Sequence, residues 1–277
     1  MSEPRTGSHP LACRTDALEA IEHLLDQKNF ELLRHDITHP LFVEVPGYPR
    51  YLQANPAVGG RYFAPGAVVP GPMRDAFLKE KPAEGYRIFV QGASSAAGYP
   101  YSHGGAFSRM LQQRLNQTFP GRPIEVVNTA MDAVNSYTLL DLSDEIVAQR
   151  PDAVLIYAGH NEYYGALGVG STESVGPVRA FVRLYLAIDH VRIVQGLRAL
   201  WARMAKALAP ERSPSATLME AMVGERAIAY GSPLYRRGLA QYRANMTDLL
   251  CRYRDAGTRT SAPTARHPCS RRNSAAR

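Results

Sequence analysis

The sequence predicts an α/β fold: a three-layer α/β/α sandwich on a parallel sheet that stops short at the C-terminus. Apolar runs at 87–91 (RIFVQ), 124–128 (IEVVN) and 153–158 (AVLIYA) alternate with segments of helical apolar spacing. Strands that alternate with helices pair in parallel, with the crossovers covering both faces. The third run is continuously apolar, as a strand covered on both faces should be. Residues 258–277 contain no Val, Ile, Leu, Met or aromatic residue, so nothing there reads as a buried fourth strand.

Residues 1–84 read as an N-terminal helix and an irregular lead-in. Asp16 and Glu19 have capping-box spacing, and Leu18, Ile21, Leu24 and Leu25 follow along one side. From 40 to 82, Pro, Gly and aromatic residues favour turns and extended segments over helices.

Residues 85–257 read as the α/β domain. After the first strand and a glycine-bracketed turn, Phe107, Met110, Leu111 and Leu115 mark one side of a helix that Pro120 ends. After the second strand, Ser136 opens a helix carrying Leu139, Leu142 and Ile146, closed at Arg150 and Pro151. A Gly-rich stretch then leads to a basic amphipathic helix over 178–209, with Val178 and Val182, and Arg179 and Arg183, each four apart. In the last helix, 233–256, Ser232 is the N-cap and Pro233 the first residue. Leu239, Tyr242, Met246, Leu249 and Tyr253 form its stripe, and Gly257 stops it. Residues 258–277 read as a disordered basic tail, and a chain that stops in mid-architecture reads as truncated or frameshifted.

Composition mostly excludes. With 277 residues, 45% hydrophobic and 21% charged, the chain can bury a full core. No apolar run approaches the roughly eighteen residues that cross a bilayer, and the first residues lack the apolar core of a secretory signal. The compartment is not legible. The formal charge of +7 belongs mostly to the end of the chain, where 258–277 holds five arginines and no acid; without them 27 basic residues face 25 acidic ones. A nucleic-acid surface is therefore not expected, and the 178–209 helix is the one weak pointer to a membrane. Cys13, Cys251 and Cys269 are odd in number and widely spaced, so they support neither a disulfide framework nor a zinc knuckle. The pair His35 and His39 lacks a third ligand. No metal and no cofactor is expected, and the oligomeric state is not legible.

In parallel sheets, ligands gather beyond the C-terminal strand ends. The first strand runs into Gly92-Ala93-Ser94-Ser95-Ala96-Ala97-Gly98, whose small residues allow a sharp turn and an exposed hydroxyl. The second ends in Asn128-Thr129-Ala130-Met131-Asp132-Ala133 and the third in Gly159-His160-Asn161-Glu162. In order and placement these resemble the three blocks of the SGNH (GDSL-type) hydrolases. Gly92, Ser94 and Gly98 match G-D-S-x-x-x-G with Ala93 for Asp. Ala133 stands at the second-block glycine, and Gly159, Asn161 and Glu162 match G-x-N-D with Glu for Asp. Wording such as YRIFVQGASSAAGYPY and IYAGHNEYYGALGVGST is similar to a bacterial subset of SGNH-like proteins, often membrane-anchored or carrying tetratricopeptide repeats. Neither an anchor nor a repeat is visible here.

The resemblance implies a flavodoxin-like sheet and a serine esterase acting on acyl or carbohydrate esters. Ser94 would be the nucleophile, with the Ser94 N–H, the Ala133 N–H and the Asn161 amide as oxyanion donors. Ala for Gly at 133 keeps the N–H and adds a methyl. The family's D-x-x-H block, which supplies the general base and its orienting carboxylate, is not found: the residue three before His267 is Thr264. Asp36 and His39 spell D-x-x-H on the wrong side of the nucleophile. His160 is an internal candidate to reach Ser94, and His103 reads as a helix-start or substrate-contact residue. The chain as given should then be a very weak esterase. Two alternatives stand beside this reading: a non-catalytic carbohydrate- or acyl-binding module of the same fold, and an O-acyltransferase in which a sugar hydroxyl replaces water.

Overall fold

The computed structural model describes residues 39–63, 69–101, 104–171, 174, 178–188 and 227–261. The helix expected from Asp16, the 189–209 part of the basic helix, and His35, Asp36, His103, Thr264 and His267 lie outside the described residues.

Four parallel strands make the central sheet: β4 (Tyr86–Gly92), β5 (Ile124–Asn128), β6 (Ala153–Tyr157) and β7 (Arg259–Ser261). Their order is β5-β4-β6-β7. Numbered as parallel strands, that is 2-1-3-4, the start of the flavodoxin order. The sheet reverses direction of growth between β4 and β6, which makes the gap above that pair the expected ligand crevice.

Helices cover both faces. On one side lie α1 (Ser94–Ala97) and α2 (Phe107–Thr118), with Phe107, Leu111 and Leu115 against Ile88, Val90 and Val126. On the other lie α3 (Ser136–Asp141), α4 (Ser143–Ala148), α5 (Arg179–Ile188) and α6 (Pro233–Asp255), whose Leu249 and Tyr253 pack with Phe89, Val127, Val154 and Ile156. Each such side chain, fully buried, is worth about 1.5–3 kcal/mol. The Tyr253 hydroxyl donates to Gln91 Oε1 (2.7 Å), and Gln91 Nε2 donates to the Leu139 carbonyl (3.1 Å), so these two polar side chains inside the core are paired.

Several expectations are corrected. The lead-in is a sheet: β1 (Phe42–Val45), β2 (Tyr48–Ala54) and β3 (Ala76–Leu78) pair antiparallel, turning at Pro46 and Gly47, where Gly47 takes φ +79°. Phe42, Phe77 and Phe89, with ring centroids 5.1–5.6 Å apart, seal it to β4. The parallel sheet does gain a fourth strand. β7 is exposed along its length and pairs through backbone alone, which requires no apolar side chain at a sheet edge. On α2, Met110 is 60% exposed and Ser108 faces inward, because Ser108 is needed as a polar partner for Asn128. The helix read over 136–149 is two short ones hinged at Leu142. Val178, just before α5, is exposed, while on the helix Val182, Tyr185 and Leu186 face the core and Arg179 and Arg183 pair with Asp248 of α6. No helix among the described residues is long and apolar enough to cross a membrane.

Arg87, fully buried at the foot of β4, joins the two sheets. It donates to Glu125 (2.8 Å), to the Gln149 carbonyl (3.0 Å) and to the Leu78 carbonyl (2.5 Å), and its guanidinium lies 4.8 Å above the Phe77 ring. Its backbone N–H donates to Asp152. A buried charge is tolerated only when its donors are met in this way.

Candidate active site

Ser94 stands where β4 ends at the growth reversal of the sheet. Gly92 permits the turn: a Cβ there would lie 2.2 Å from the Tyr157 carbonyl oxygen. Ala93 is extended, Ser94 opens the one-turn helix α1, and Gly98, at φ +93°, closes it by donating its N–H to the Ser94 carbonyl. Asn128, wholly buried at the end of β5, anchors this turn through Nδ2, which donates to the Ala96 carbonyl (2.8 Å) and to Ser108 (3.0 Å). Its Oδ1 accepts the Ala130 N–H (2.9 Å) and its own N–H donates to Asp75 (2.9 Å), a carboxylate also held by Arg109. Asn128 therefore holds the turn that carries Ser94.

The loop after β5 meets the same rim. The Met131 N–H donates to the Gly92 carbonyl (3.2 Å), and Ala133 is buried at φ +59°. A left-handed conformation costs a residue with Cβ roughly 1–2 kcal/mol. The alanine therefore adds backbone strain as well as a methyl. The Ala133 carbonyl accepts the Ala166 N–H (2.8 Å), which ties this loop to the one after β6.

That third loop turns at Gly159 (φ +131°), over which the Tyr242 ring packs, and delivers His160, Asn161 and Glu162. His160 Nε2 lies 3.5 Å from Ser94 Oγ, a distance longer than a formed hydrogen bond. Partial burial lowers the His160 pKa, so the ring is neutral near pH 7 and able to accept a proton. Its ring centroid is 6.3 Å from that of Tyr157. Asn161 is 6% exposed and its Nδ2 has no hydrogen-bond partner. A buried unmade donor costs about 1–3 kcal/mol and calls for an explanation. Glu162 is also buried; its carboxylate accepts from the Ser136 N–H and hydroxyl, and burial pushes its pKa up to about 7. Asp132, beside Ala133, has a buried Oδ1 without partner and a pKa raised by burial.

Ser94, Ala133, His160 and Asn161 thus stand on three loops at one end of the sheet, with Gly92 and Gly159 shaping two of them. His39, of the D-x-x-H near the N-terminus, packs its ring against Gly60 and accepts Arg61 Nε at its carbonyl. Among the described residues no cluster of three His, Cys, Asp or Glu is placed to hold a metal ion. Sequence reasoning did not single out Asp75, Ser136 and Asn245 as buried partners behind the loops; with Arg74, Asn135, Arg243 and Asp248 nearby, their sequence surroundings carry no signal of burial.

The sequence matches no protein-family model and no curated protein. Among solved structures, the chain is similar to the psychrotrophic esterase EstA from Pseudoalteromonas sp. (16% identity over 63% of this chain and 75% of that one, TM-score 0.30). It is also similar to an acetyl xylan esterase, AlAXEase (15% identity, 63% and 75%, TM-score 0.31). A third is a variant of Axe2, an acetyl xylan esterase from Geobacillus stearothermophilus (16% identity, 67% and 78%, TM-score 0.28). Likenesses at this level carry no weight for substrate or mechanism.

Proposed function

We propose that the protein is an SGNH-type serine hydrolase acting on acyl or carbohydrate esters. Ser94 Oγ attacks the ester carbonyl carbon while its proton passes to His160 Nε2. The N–H groups of Ser94 and Ala133 and the Asn161 amide hold the oxyanion. Collapse of the tetrahedral adduct breaks the bond to the alcohol oxygen, which takes the proton from His160. Water then attacks the acyl-enzyme carbonyl as His160 takes its proton, and collapse breaks the bond to Ser94 Oγ, which recovers that proton from His160 as the acid leaves. A sugar hydroxyl in place of that water would make the same site an O-acyltransferase.

The observation that carries this reading is the meeting of Ser94 Oγ and His160 Nε2 across the β4–β6 gap, at 3.5 Å. Contacts of this length in unliganded sites tighten when substrate arrives. The unpartnered Asn161 amide supports it, since an oxyanion is the partner it lacks. Turnover should be modest, because no described carboxylate hydrogen-bonds the His160 ring to orient it and to stabilise its charged form. That same feature favours the second reading, a non-catalytic carbohydrate- or acyl-binding module.

Hydrolysis of p-nitrophenyl acetate by wild type, Ser94→Ala and His160→Ala separates the two. Loss of turnover in both variants supports the hydrolase. Turnover that persists without Ser94 would rule it out, and an acetylated sugar bound without any Ser94-dependent turnover would favour the binding module.

A further inference from the structure

We propose that Glu162 is a positioning residue for the oxyanion hole, locking the loop that carries Asn161 to the loop that carries Ala133. The inference rests on the hydrolase reading of the site. Glu162 follows Asn161 directly and is 6% exposed. Its carboxylate spans to the start of α3, where Oε2 accepts the Ser136 N–H (3.1 Å) and Oε1 accepts the Ser136 hydroxyl (2.7 Å). Ser136 lies three residues beyond Ala133.

The direction of these bonds is set from behind. The Ser136 oxygen accepts from Asn245 Nδ2 on α6 (2.9 Å), which leaves the Ser136 hydrogen to point at Glu162. Asn245 Oδ1 in turn accepts from Arg179 Nε on α5 (2.7 Å), and Arg179 also bonds Asp248. A chain of donors therefore begins at a guanidinium and ends on the Glu162 carboxylate. Only the ionised form accepts both Ser136 donors without having to donate itself. The Ala166 N–H on the Ala133 carbonyl and the Gly165 N–H on the Asn161 carbonyl (2.6 Å) run along the same seam.

This seam is needed because the two donors do not hold themselves. Asn161 Nδ2 has no partner, and Ala133 sits in a strained backbone conformation. Their aim at a shared oxyanion depends on how the two loops are fixed to each other, and donors misplaced by a fraction of an ångström lose their worth. Titratable groups face the carboxylate from three elements: Tyr137 on α3, Tyr163 on its own loop and Tyr242 on α6, each with its pKa raised first by burial and then in part by Glu162. Arg179 stands two hydrogen bonds away, and no described cation bonds Glu162. The tie should therefore loosen by protonation as pH falls through neutrality.

The test compares wild type, Glu162→Gln, Glu162→Asp and Ser94→Ala on p-nitrophenyl acetate. Alongside, NMR follows the ¹⁵N signals of the Asn161 side-chain amide and the Ala133 backbone amide in wild type and Glu162→Gln. At about pH 8 the Gln variant should lose roughly tenfold or more in kcat with KM within about twofold. The Asp variant, which keeps a carboxylate, should recover most of the loss. Both amide signals should shift or broaden in Glu162→Gln while those of Val127 and Val154 stay put. Unchanged kcat, or a loss that appears only in KM, overturns the inference. Unmoved Asn161 and Ala133 signals overturn it as well, whether or not ester is hydrolysed. Turnover that survives in Ser94→Ala instead sinks the hydrolase reading and leaves the two amide signals to decide the tie.

Discussion

Gly92 and Tyr157 lie so close across the β4–β6 ladder that a Cβ on Gly92 would sit 2.2 Å from the Tyr157 carbonyl oxygen and 2.6 Å from the Ala96 Cβ. Neither obstacle is the free end of a side chain, so a methyl there must push strand from strand. Gly92→Ala should lose about 1–3 kcal/mol in urea denaturation and carry Ser94 away from His160, lowering turnover. Wild-type stability in this variant would contradict the close approach.

Asn161 sets activity against stability. If Asn161 holds the oxyanion as proposed, its removal should cost about 10²–10³ in kcat. The same change deletes a buried donor that has no partner, so Asn161→Ala should melt at the wild-type temperature or above it. A variant that is both inactive and much less stable would show the amide to be structural instead.

Ala133 makes an opposite forecast from an ordinary Ala-to-Gly change. Glycine at φ +59° is relieved of roughly 1–2 kcal/mol of steric cost, against about 0.4–1 kcal/mol of added freedom in the unfolded chain. Ala133→Gly should therefore unfold at the same or slightly higher urea concentration and keep its activity, since the N–H remains. A loss above about 1 kcal/mol would speak against the left-handed backbone.

Stability should depend on pH through Glu162. Its carboxyl is raised from 4.5 to about 7, chiefly by burial, so between those values the folded protein holds a proton that the unfolded chain has released. Stability then falls as pH rises through that window, by roughly 3 kcal/mol from this group, and levels off above it. Asp132 and Asp141, also raised by burial, tilt the curve the same way, while His160, lowered from 6.5, opposes it on the acid side. The measurement is the difference between wild-type and Glu162→Gln urea midpoints from pH 4.5 to pH 8: the Gln variant should show the shallower slope, and parallel curves would remove Glu162 as the cause.

What the sequence disclosed depended on whether side chains or backbone decided each element. The strands at 124–128 and 153–157 were plain because their runs are mostly apolar, although β6 is fully buried on one face alone, with Ala153 and Leu155 half-buried and Tyr157 exposed on the other; Ser232 with Pro233 announced the start of α6 because a cap needs those residue types. β7 was invisible, since an edge strand asks only for backbone N–H and C=O groups, which TRTS supplies as well as any sequence. β1 to β3 were hidden for a similar reason among Pro and Gly. In the site, the glycine turn after β4 and the polar ends of β5 and β6 pointed to the rim on which Ser94 and His160 meet. The left-handed Ala133 gave no sign, because alanine does not advertise that conformation. The Ser94–His160 meeting follows only once β6, and not β5, is known to flank β4 on that side.

Arg87 has a consequence for dissecting the protein. Its guanidinium reaches back over the 84/85 boundary to the Leu78 carbonyl while Phe77 lies against its face, so β1 to β3 cannot be discarded as a leader. A fragment beginning at residue 85 would strand a buried cation and strip Phe42 and Phe77 from Phe89. A protease that nicks the exposed stretch at Ala83 and Glu84 should leave two pieces that co-purify under native conditions and part only in denaturant.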